Sequence, residues 1–179
     1  MTDRYHARPL AIGRIDQAFP LIQAVRPALG LEDWRRFAVA LSAIGADRAG
    51  IMTAQASGYI HGLFSYTVEP HIMHRRVLSV DNFVAIELLD AGAVVETLLD
   101  AIDRLAGDLR CSAVCTTLSA AGNLSAATRA DLIERFHARG YGDQPLVFCR
   151  VTPETGRAGL EPVETASVGR VVHFSAGGA

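Results

Sequence analysis

The chain has 179 residues and a formal net charge of −2, and half of its residues are apolar while only 20% are charged. This balance predicts one packed globular unit rather than a disordered chain. All 17 basic residues are arginine, because the sequence contains no lysine. Schiff-base chemistry, pyridoxal chemistry and a Walker A phosphate loop each need a lysine, so these functions are excluded. The near-neutral charge argues against nucleic acid as a partner.

Cysteine content and apolar runs bear on compartment and membrane association. Three cysteines are too few for a disulfide framework, and the N-terminus lacks the apolar core of a signal peptide, so we predict a cytoplasmic protein. Residues 49–68 form an uncharged run of 20 residues, which is long enough for a membrane span. The run also contains polar residues and three glycines. We therefore predict a hairpin of two strands, at residues 51–56 and 59–68, and no membrane association.

Before this hairpin, the sequence predicts one strand and two helices. The strand covers residues 8–15, and Asp16 follows as an N-cap for a helix that ends before Gly30. The second helix ends at Gly45. Its predicted buried face follows the spacing i, i+3, i+7 and i+10 and consists of Trp34, Phe37, Leu41 and Ile44.

After the hairpin, residues 77–89 are rich in Val, Ile and Phe and predict the longest strand of the chain. Gly92 marks its exit into a third helix. The apolar stripe of that helix consists of Val94, Val95, Leu98, Leu99, Ile102 and Leu105.

The rest of the chain predicts a strand, a helix and a last strand. The strand at residues 111–118 is expected to hold Cys111 and Cys115 on one buried face. The helix is capped by Ser125 and ends at Gly140, and the last strand covers residues 146–151. The inward-facing residues of the helix are Leu132, Ile133 and Phe136.

The order of these elements, β α α β β β α β α β, predicts an α+β fold with a mixed, mostly antiparallel sheet flanked by helices. Over residues 8–151 this order resembles the GNAT superfamily of N-acetyltransferases. The segment DLIERFHARGYGDQPLVFCRV is similar to the family's final helix, its Gly-aromatic stop at Gly140-Tyr141 and the strand after it. We therefore predict a GNAT-like acyltransferase domain at residues 8–152. Residues 153–179, which contain several Gly and Pro, are predicted to be a C-terminal tail.

The resemblance implies that the protein uses acetyl-CoA or another acyl-CoA as a substrate, without a metal. The segment VDNFVAIELLDAGAVVETLL looks like the family's fourth strand and the loop that binds the cofactor. In such a site a splayed strand offers its backbone to the pantetheine arm, and helix N-terminal amides stabilise the pyrophosphate. The residues that the resemblance assigns to cofactor binding are Phe83, Val84, Ala85, Gly92, Ala93, Val94 and Val95.

The family's loop pattern is Arg or Gln, two residues, Gly, one residue, then Gly or Ala, and this sequence departs from it in two possible registers. If Gly92 is the first glycine, Leu89 replaces the Arg or Gln and Val94 replaces the last small residue. In an ungapped alignment these three places are taken by Asp90, Ala93 and Val95. The resemblance is therefore to a degenerate acyl-CoA-binding loop.

Amine attack on a thioester needs a base that accepts the ammonium proton. Asp81 and Glu87 are the carboxylates of the fourth strand, and their separation of six places them on one face together with Phe83. His61 is a further candidate base. Cys111 and Cys115 are not expected to act as nucleophiles.

The resemblance implies N-acyl transfer to a small amine or a protein N-terminus. Many family members place a tyrosine acid four residues before the Gly-aromatic stop, where this sequence has Phe136. Phenylalanine cannot donate a proton. A GNAT-fold protein that binds a ligand or partner without turnover is therefore the alternative. A homodimer is a further hypothesis, because an apolar island at residues 168–174 can extend a sheet edge of a second copy.

Overall fold

The computed structural model describes residues 5–86, 92–117 and 126–142. The strands in these ranges are β1 (His6–Pro9), β2 (Ala49–Ala56), β3 (Tyr59–His71), β4 (Arg75–Ala85) and β5 (Ala113–Thr116). The helices are α1 (Ile15–Val25), α2 (Leu31–Ile44), α3 (Ala93–Asp108) and α4 (Ala126–Ala138), with a 3₁₀ turn at Ile12–Arg14. None of the helices in the described part is long and apolar enough to span a membrane.

The chain divides into two compact units, Met1–Tyr141 and Gly142–Ala179. Apart from Gly142, the second unit lies outside the described residues. The last strand at residues 146–151 and the tail at residues 153–179 therefore remain predictions. The same holds for the domain boundary after residue 152.

The five strands form one sheet in the order β1-β2-β3-β4-β5. Neighbours from β1 to β4 are antiparallel, whereas β5 runs parallel to β4. This parallel pair follows from α3, because a helical crossover is the short connection that joins parallel strands. The predicted α+β class and the mostly antiparallel sheet are confirmed. The hairpin is confirmed too, since Ser57 and Gly58 both have the positive φ that a two-residue turn requires.

Two apolar clusters cover opposite faces of the sheet, because alternate residues of β3 belong to different clusters. Phe64 and Tyr66 face α3, in a cluster with Leu98 and Ile102. Leu63 faces α1 and α2, in a cluster with Trp34. The Trp34 indole donates a hydrogen bond to the Ile15 carbonyl over 2.8 Å, which ties α2 to the start of α1. The predicted stripe of α3 is confirmed: five of its residues are buried and Leu105 is partly buried.

Gly62 allows α3 to approach the sheet closely. A Cβ at this position would lie 2.8 Å from Val94 Cγ1, 2.9 Å from the Val84 carbonyl oxygen and 3.0 Å from Leu98 Cδ1. Because the carbonyl belongs to the sheet backbone, it cannot move aside without disturbing β4. The absence of a side chain at Gly62 therefore accommodates the bulk of Val94.

We expect Gly62→Ala to lower the free energy of unfolding by about 1–3 kcal/mol through overpacking. The control is Gly107→Ala, because Gly107 lies inside α3 with nothing near its missing Cβ, and alanine favours a helix. Urea unfolding of both variants measures the difference. Equal stability of the two variants would contradict the close approach.

The structure corrects the predicted start of the domain. The strand predicted at residues 8–15 ends at Pro9, because a 3₁₀ turn follows at Ile12–Arg14. Asp16 is not an N-cap but lies in the first turn of α1. There it forms an ion pair with Arg35 over 2.6 Å, and the hydrogen bond from Arg35 lowers the pKa of the Asp16 carboxyl.

The predicted buried face of α2 is also wrong in part. Phe37 is 38% exposed and Ile44 is 49% exposed, whereas Trp34 and Ala38 are buried. The packed stripe therefore follows the i, i+4 spacing through a small alanine. A pattern based on large apolar residues alone misses such a contact.

Three further expectations differ from the structure. β3, with 13 residues, is longer than β4, which ends at Ala85 after 11 residues. Cys111 precedes β5 and Cys115 is exposed, so the two cysteines do not form a buried pair. Ile133 is 37% exposed, although its neighbour Phe136 is buried as predicted. Ser125, predicted to cap α4, lies outside the described residues.

Candidate functional site

The first feature of the site is a gap beside β4. β5 pairs with β4 only from Val77 to Val80, and the last hydrogen bond between them runs from the Thr117 N–H to the Val80 carbonyl over 3.0 Å. β4 continues to Ala85 alongside β3. Within the described ranges, the second half of β4 therefore has no β5 partner.

A β-bulge begins where the two strands part. Leu63 pairs with Val84 and Ser65 with Asp81, so Asn82 and Phe83 together lie opposite one residue of β3. Asn82 has a φ of 52°, in the left-handed region that asparagine tolerates better than most residues. Its side-chain amide donates to Ser65 Oγ over 2.9 Å, and Ser65 Oγ donates to the Asp81 carbonyl over 3.1 Å. These bonds hold the bulge in place.

The bulge corrects the predicted faces of β4. Phe83 packs into the cluster on the α3 side, whereas Asp81 lines a cavity that includes α2 residues. The two residues, predicted to share a face, therefore lie on opposite faces, because one extra residue shifts the alternation of a strand. Glu87 lies outside the described residues, so its role remains a prediction.

The predicted pantetheine contacts lie on the unpaired part of β4. The Ile86 N–H donates to the His61 carbonyl on the β3 side over 2.8 Å. Because neighbouring residues of a strand direct their backbone groups to opposite edges, the N–H and C=O of Ala85 face the gap. Val84 is buried on the side of α1 and α2.

The second feature is the N-terminus of α3. Gly92 precedes the helix with a φ of 98°, a conformation that favours glycine, and its carbonyl accepts the first helical bond from Glu96 over 2.8 Å. The first amides of any α-helix have no acceptor inside the helix. Val94 and Val95 turn their side chains into the core, so the bulk at these positions does not lie over the loop. Leu89 and Asp90, which decide the register of the loop pattern, lie outside the described residues.

Arg135 of α4 lies against this N-terminus, which sequence reasoning missed. Its guanidinium occupies the space that a Cβ on Gly92 would need, with Nη1 only 2.5 Å from that position. It donates hydrogen bonds to Asp131 over 2.8 Å and to Glu96 over 3.1 Å, and these bonds raise its pKa. An anion at the start of α3 would therefore meet a fixed cation next to the helix amides.

Arg139, one turn further along α4, ties the same two helices together. Its guanidinium contacts carboxylates spaced along one stripe of α3, at 2.6 Å from Glu96, 2.8 Å from Asp100 and 2.9 Å from Asp103. The sequence signal for this contact is the spacing of the three carboxylates, which lie three or four residues apart and so share one face of α3.

The third feature is a cavity of about 260 Å³ on the face of the sheet covered by α1 and α2. The Asp81 carboxylate lies in its wall and has no hydrogen bond or ion pair to any described residue. The lining residues are Arg26, Phe37, Leu41, Ser65, Tyr66, Thr67, Asp81 and Asn82. This carboxylate therefore lies directly after Val80, the last residue of β4 that pairs with β5 in the described ranges.

Solved structures with the same architecture include enzymes of one superfamily. An aminoglycoside N-acetyltransferase in complex with CoA matches with a TM-score of 0.69 and 13% identity, over 84% of this chain and 97% of that chain. Glucosamine-6-phosphate N-acetyltransferase from Arabidopsis thaliana matches with a TM-score of 0.63 and 12% identity, over 83% of this chain and 99% of that chain. The chain has the GNAT fold. The resemblance inferred from the sequence is confirmed at this level.

A third GNAT structure, the ribosomal-protein-alanine N-acetyltransferase from Brucella melitensis biovar Abortus 2308, matches with a TM-score of 0.64 and 13% identity, over 81% of this chain and 99% of that chain. No family model and no curated protein matches the sequence. The fold is thus shared with proteins of only 12–13% sequence identity, although neither sequence comparison finds a match.

Phe136, which the resemblance predicts to take the place of a tyrosine acid, lies in the core. Phe136 is 3% exposed, and its ring packs edge-to-face on Phe83 at 5.5 Å and on Tyr141 at 5.0 Å. The Tyr141 hydroxyl is buried with no hydrogen-bond partner in the described part of the chain. Burial, with a smaller effect of Asp103, raises the pKa of Tyr141 to about 12. This tyrosine is therefore held neutral as a packing residue.

The histidines do not join Asp81. The His61 ring contacts Tyr5 at 5.1 Å, and Tyr5 packs on the α3 side of the sheet, away from the cavity. His71 and His74 stack at 5.0 Å at the turn between β3 and β4. Over the described ranges, no group of His, Cys, Asp or Glu side chains is arranged to hold a metal ion.

Proposed function

We propose that this chain is an acyl-CoA-dependent N-acyltransferase that moves an acetyl group from acetyl-CoA to a primary amine in the cytoplasm. The observation that carries the proposal is that, among the described residues, β4 has no β5 partner beyond Val80, in a GNAT fold whose α3 begins at Ala93. The similar structures support it, since one is a complex with CoA and three are named as N-acetyltransferases.

Two backbone segments would hold the cofactor in this proposal. The unpaired edge at Phe83 and Ala85 offers N–H and C=O groups to the amides of the pantetheine arm, whereas the backbone groups of Val84 face β3. The first turn of α3 offers amides and a helix dipole to the pyrophosphate, which prefers the N-terminus of a helix. Arg135 adds a guanidinium on the same side, whereas the sequence at residues 86–92 contains no basic residue.

Asp81 is the proposed base. An ammonium ion at the cavity loses a proton to the Asp81 carboxylate, directly or through water, and the amine nitrogen attacks the thioester carbon. A C–N bond forms, the C–S bond breaks, and the thiolate takes up a proton. Glu87 remains a proposed second carboxylate, and the position of His61 on the other side of the sheet makes it the weaker candidate.

Phe136 favours a second candidate function, a GNAT-fold protein that binds acyl-CoA without turnover. A buried ring cannot protonate the leaving thiolate or polarise the carbonyl. In the enzyme, backbone N–H groups at the β4 gap would stabilise the oxyanion instead, and solvent would protonate the thiolate. Transfer with cofactor binding supports the enzyme; cofactor binding without transfer to any amine supports the second candidate.

We expect acetyl-CoA to bind the full chain and Ala93→Glu to weaken this binding at least tenfold. A glutamate at the first position of α3 repels the pyrophosphate, yet it suits the helix dipole and so preserves stability. Ala40→Glu adds the same charge to an exposed position of α2 and serves as the control. Calorimetric titration of the three proteins measures the affinities.

At 1 mM acetyl-CoA, a site with a micromolar constant would stabilise the fold by about 4 kcal/mol. An unchanged melting temperature at this concentration would contradict cofactor binding. Equal weakening by Ala93→Glu and Ala40→Glu would place the cofactor away from α3.

A further inference from the structure

The turn between β3 and β4 carries an exposed apolar surface, which we call the tip and define as residues 71–76. We propose that the tip is a membrane-contact site that binds the anionic surface of a lipid bilayer without crossing it. The tip lies at the start of β4, at the opposite end from Ala85. The proposal therefore goes beyond the proposed function and does not rest on it.

The tip projects beyond the neighbouring strands. β2 pairs with β3 only as far as Thr67, and β5 pairs with β4 only from Val77 onwards. Between these limits β3 and β4 pair with each other, up to the pair of His71 and Arg75. Residues 69–76 are all exposed. The tip therefore ends a two-stranded ribbon beside which the described residues place no further strand.

Hydrogen bonds hold the tip in one shape. His71 Nδ1 accepts bonds from the N–H groups of Met73 and His74, each over 3.2 Å. The rings of His71 and His74 stack at 5.0 Å. The Ser112 hydroxyl donates to the His74 carbonyl, and the Ser112 N–H donates to the Arg76 carbonyl over 2.9 Å. A ligand therefore meets a preformed surface, and less conformational entropy is lost on binding.

Two adjacent large apolar side chains are exposed at the tip. Ile72 is 98% exposed and Met73 is 79% exposed, which makes them the most exposed large apolar side chains in the described part of the chain. Exposure of apolar surface to water is unfavourable, and an exposed apolar patch marks contact with a protein or a membrane. The two side chains therefore indicate a surface that is covered by a partner.

The small size of the tip favours a bilayer over a protein partner. A specific protein interface buries roughly 800 Å² on each side and involves about 20–30 residues of each partner. The tip is a single turn with two apolar side chains. A lipid surface needs no complementary pocket, because apolar side chains enter the boundary of the acyl chains wherever they meet it.

The charge of the tip matches an anionic surface. The tip contains Arg75 and Arg76 and no acidic residue. At the base of the ribbon, Asp47 and Glu69 are accompanied by Arg48, so the excess of positive charge lies at the tip. Guanidinium groups bind phosphate well, and the cytoplasmic leaflet carries anionic lipids. A second copy of the tip has the same charge and is repelled.

Surface contact of this kind departs from the expectation of no membrane association. That expectation concerns residues 49–68 as a candidate span. None of the described helices is long and apolar enough to cross a membrane. Contact at the surface needs no span, since side chains that reach the acyl boundary are sufficient.

Cosedimentation of the full chain with lipid vesicles tests the proposal. The vesicles consist of phosphatidylcholine alone, or of phosphatidylcholine with a third of the lipid replaced by phosphatidylglycerol. We expect the partition coefficient to be at least tenfold higher for the anionic vesicles. Binding should fall as salt is raised, because charges are screened over about 10 Å at 0.1 M salt and about 3 Å at 1 M.

Ile72→Ser should weaken binding to the anionic vesicles at least tenfold. Ile12→Ser is the matched control, since Ile12 is 70% exposed and lies in the 3₁₀ turn that bonds to Gly58, at the other end of β3. Arg75→Gln should weaken binding to the anionic vesicles and leave binding to neutral vesicles unchanged. Arg8→Gln, at an exposed position of β1, should alter neither.

Met73→Trp gives a second readout, which reports on insertion. The single tryptophan of the chain, Trp34, is 2% exposed, so a change in fluorescence on adding vesicles comes from the tip. Anionic vesicles should shift the emission of Met73→Trp to shorter wavelength. They should leave the emission of Tyr59→Trp unchanged, because Tyr59 is exposed at the far end of β3.

The outcomes decide between a bilayer and the other occupants. Binding that Ile72→Ser weakens and Ile12→Ser preserves, together with the shift of Met73→Trp, supports the proposal. Absence of binding to anionic vesicles, equal binding of the two serine variants or equal binding to both kinds of vesicle overturns it. Self-association of the lipid-free chain in sedimentation that Ile72→Ser abolishes would assign the tip to a second copy and also overturn it. The affinity for acetyl-CoA should be the same in all variants, so failure of this proposal leaves the proposed function intact.

Discussion

Asp81→Asn is expected to lower kcat for acyl transfer by about 10²–10⁴-fold, the range for loss of a general base. The amide keeps the shape of the side chain but cannot accept the ammonium proton. Because Asp81 lies in the cavity wall and not on the cofactor edge, the affinity for CoA should stay unchanged. Steady-state kinetics and calorimetry of the same preparation measure the two quantities.

Asp108→Asn is the matched control, since it makes the same chemical change at an exposed position at the end of α3. It should leave kcat within a factor of two of the unmodified chain. Full activity of Asp81→Asn would exclude this carboxylate as the base and make Glu87 the next residue to test.

Phe136→Ala is expected to cost about 3–5 kcal/mol of the free energy of unfolding, as for other buried phenylalanines. The ring is packed between Phe83 and Tyr141, so its removal leaves a cavity under α4. Because Phe83 belongs to the proposed cofactor edge of β4, we also expect weaker binding of acetyl-CoA. Urea unfolding and titration measure both effects.

Ile133→Ala removes apolar side-chain atoms from the same helix, at a position that is 37% exposed. It should cost less than about 1 kcal/mol, since large losses come from buried sites. If the two substitutions cost the same, α4 does not depend on the aromatic contacts and the proposed support of β4 is wrong.

Regular periodicity explains the part of the fold that the sequence predicts well. The stripe of α3 is correct because its large apolar residues all face one continuous sheet surface. The hairpin is correct because Ser57-Gly58 is a strong local turn signal. The fold resemblance rests on the order of such elements. This order can be recognised even though the family's loop pattern is degenerate in this sequence.

Departures from periodicity explain what the sequence does not predict. A bulge at Asn82 inserts one residue into a strand that otherwise alternates, and its stabilising bonds come from Ser65, distant in sequence. The close approach through Ala38 depends on a small residue instead of a large one. These contacts join residues that are distant in sequence, so the local pattern of apolar and polar residues does not predict them.

The same reason limits prediction of the site. Asp81 could be singled out because carboxylates are rare in an apolar strand. Arg135 could not, because it lies on α4 but contacts Gly92 at the start of α3. Charge pairs between helices need the docking geometry before they can be recognised.

A crystal structure of the full chain with CoA is the decisive test of the proposed cofactor site. We expect the pyrophosphate at the first turn of α3, beside Gly92 and within reach of Arg135, and the pantetheine arm along the edge of β4 at Ala85. A crystal grown at millimolar CoA with the ligand bound elsewhere, or with none in the gap between β4 and β5, would contradict it.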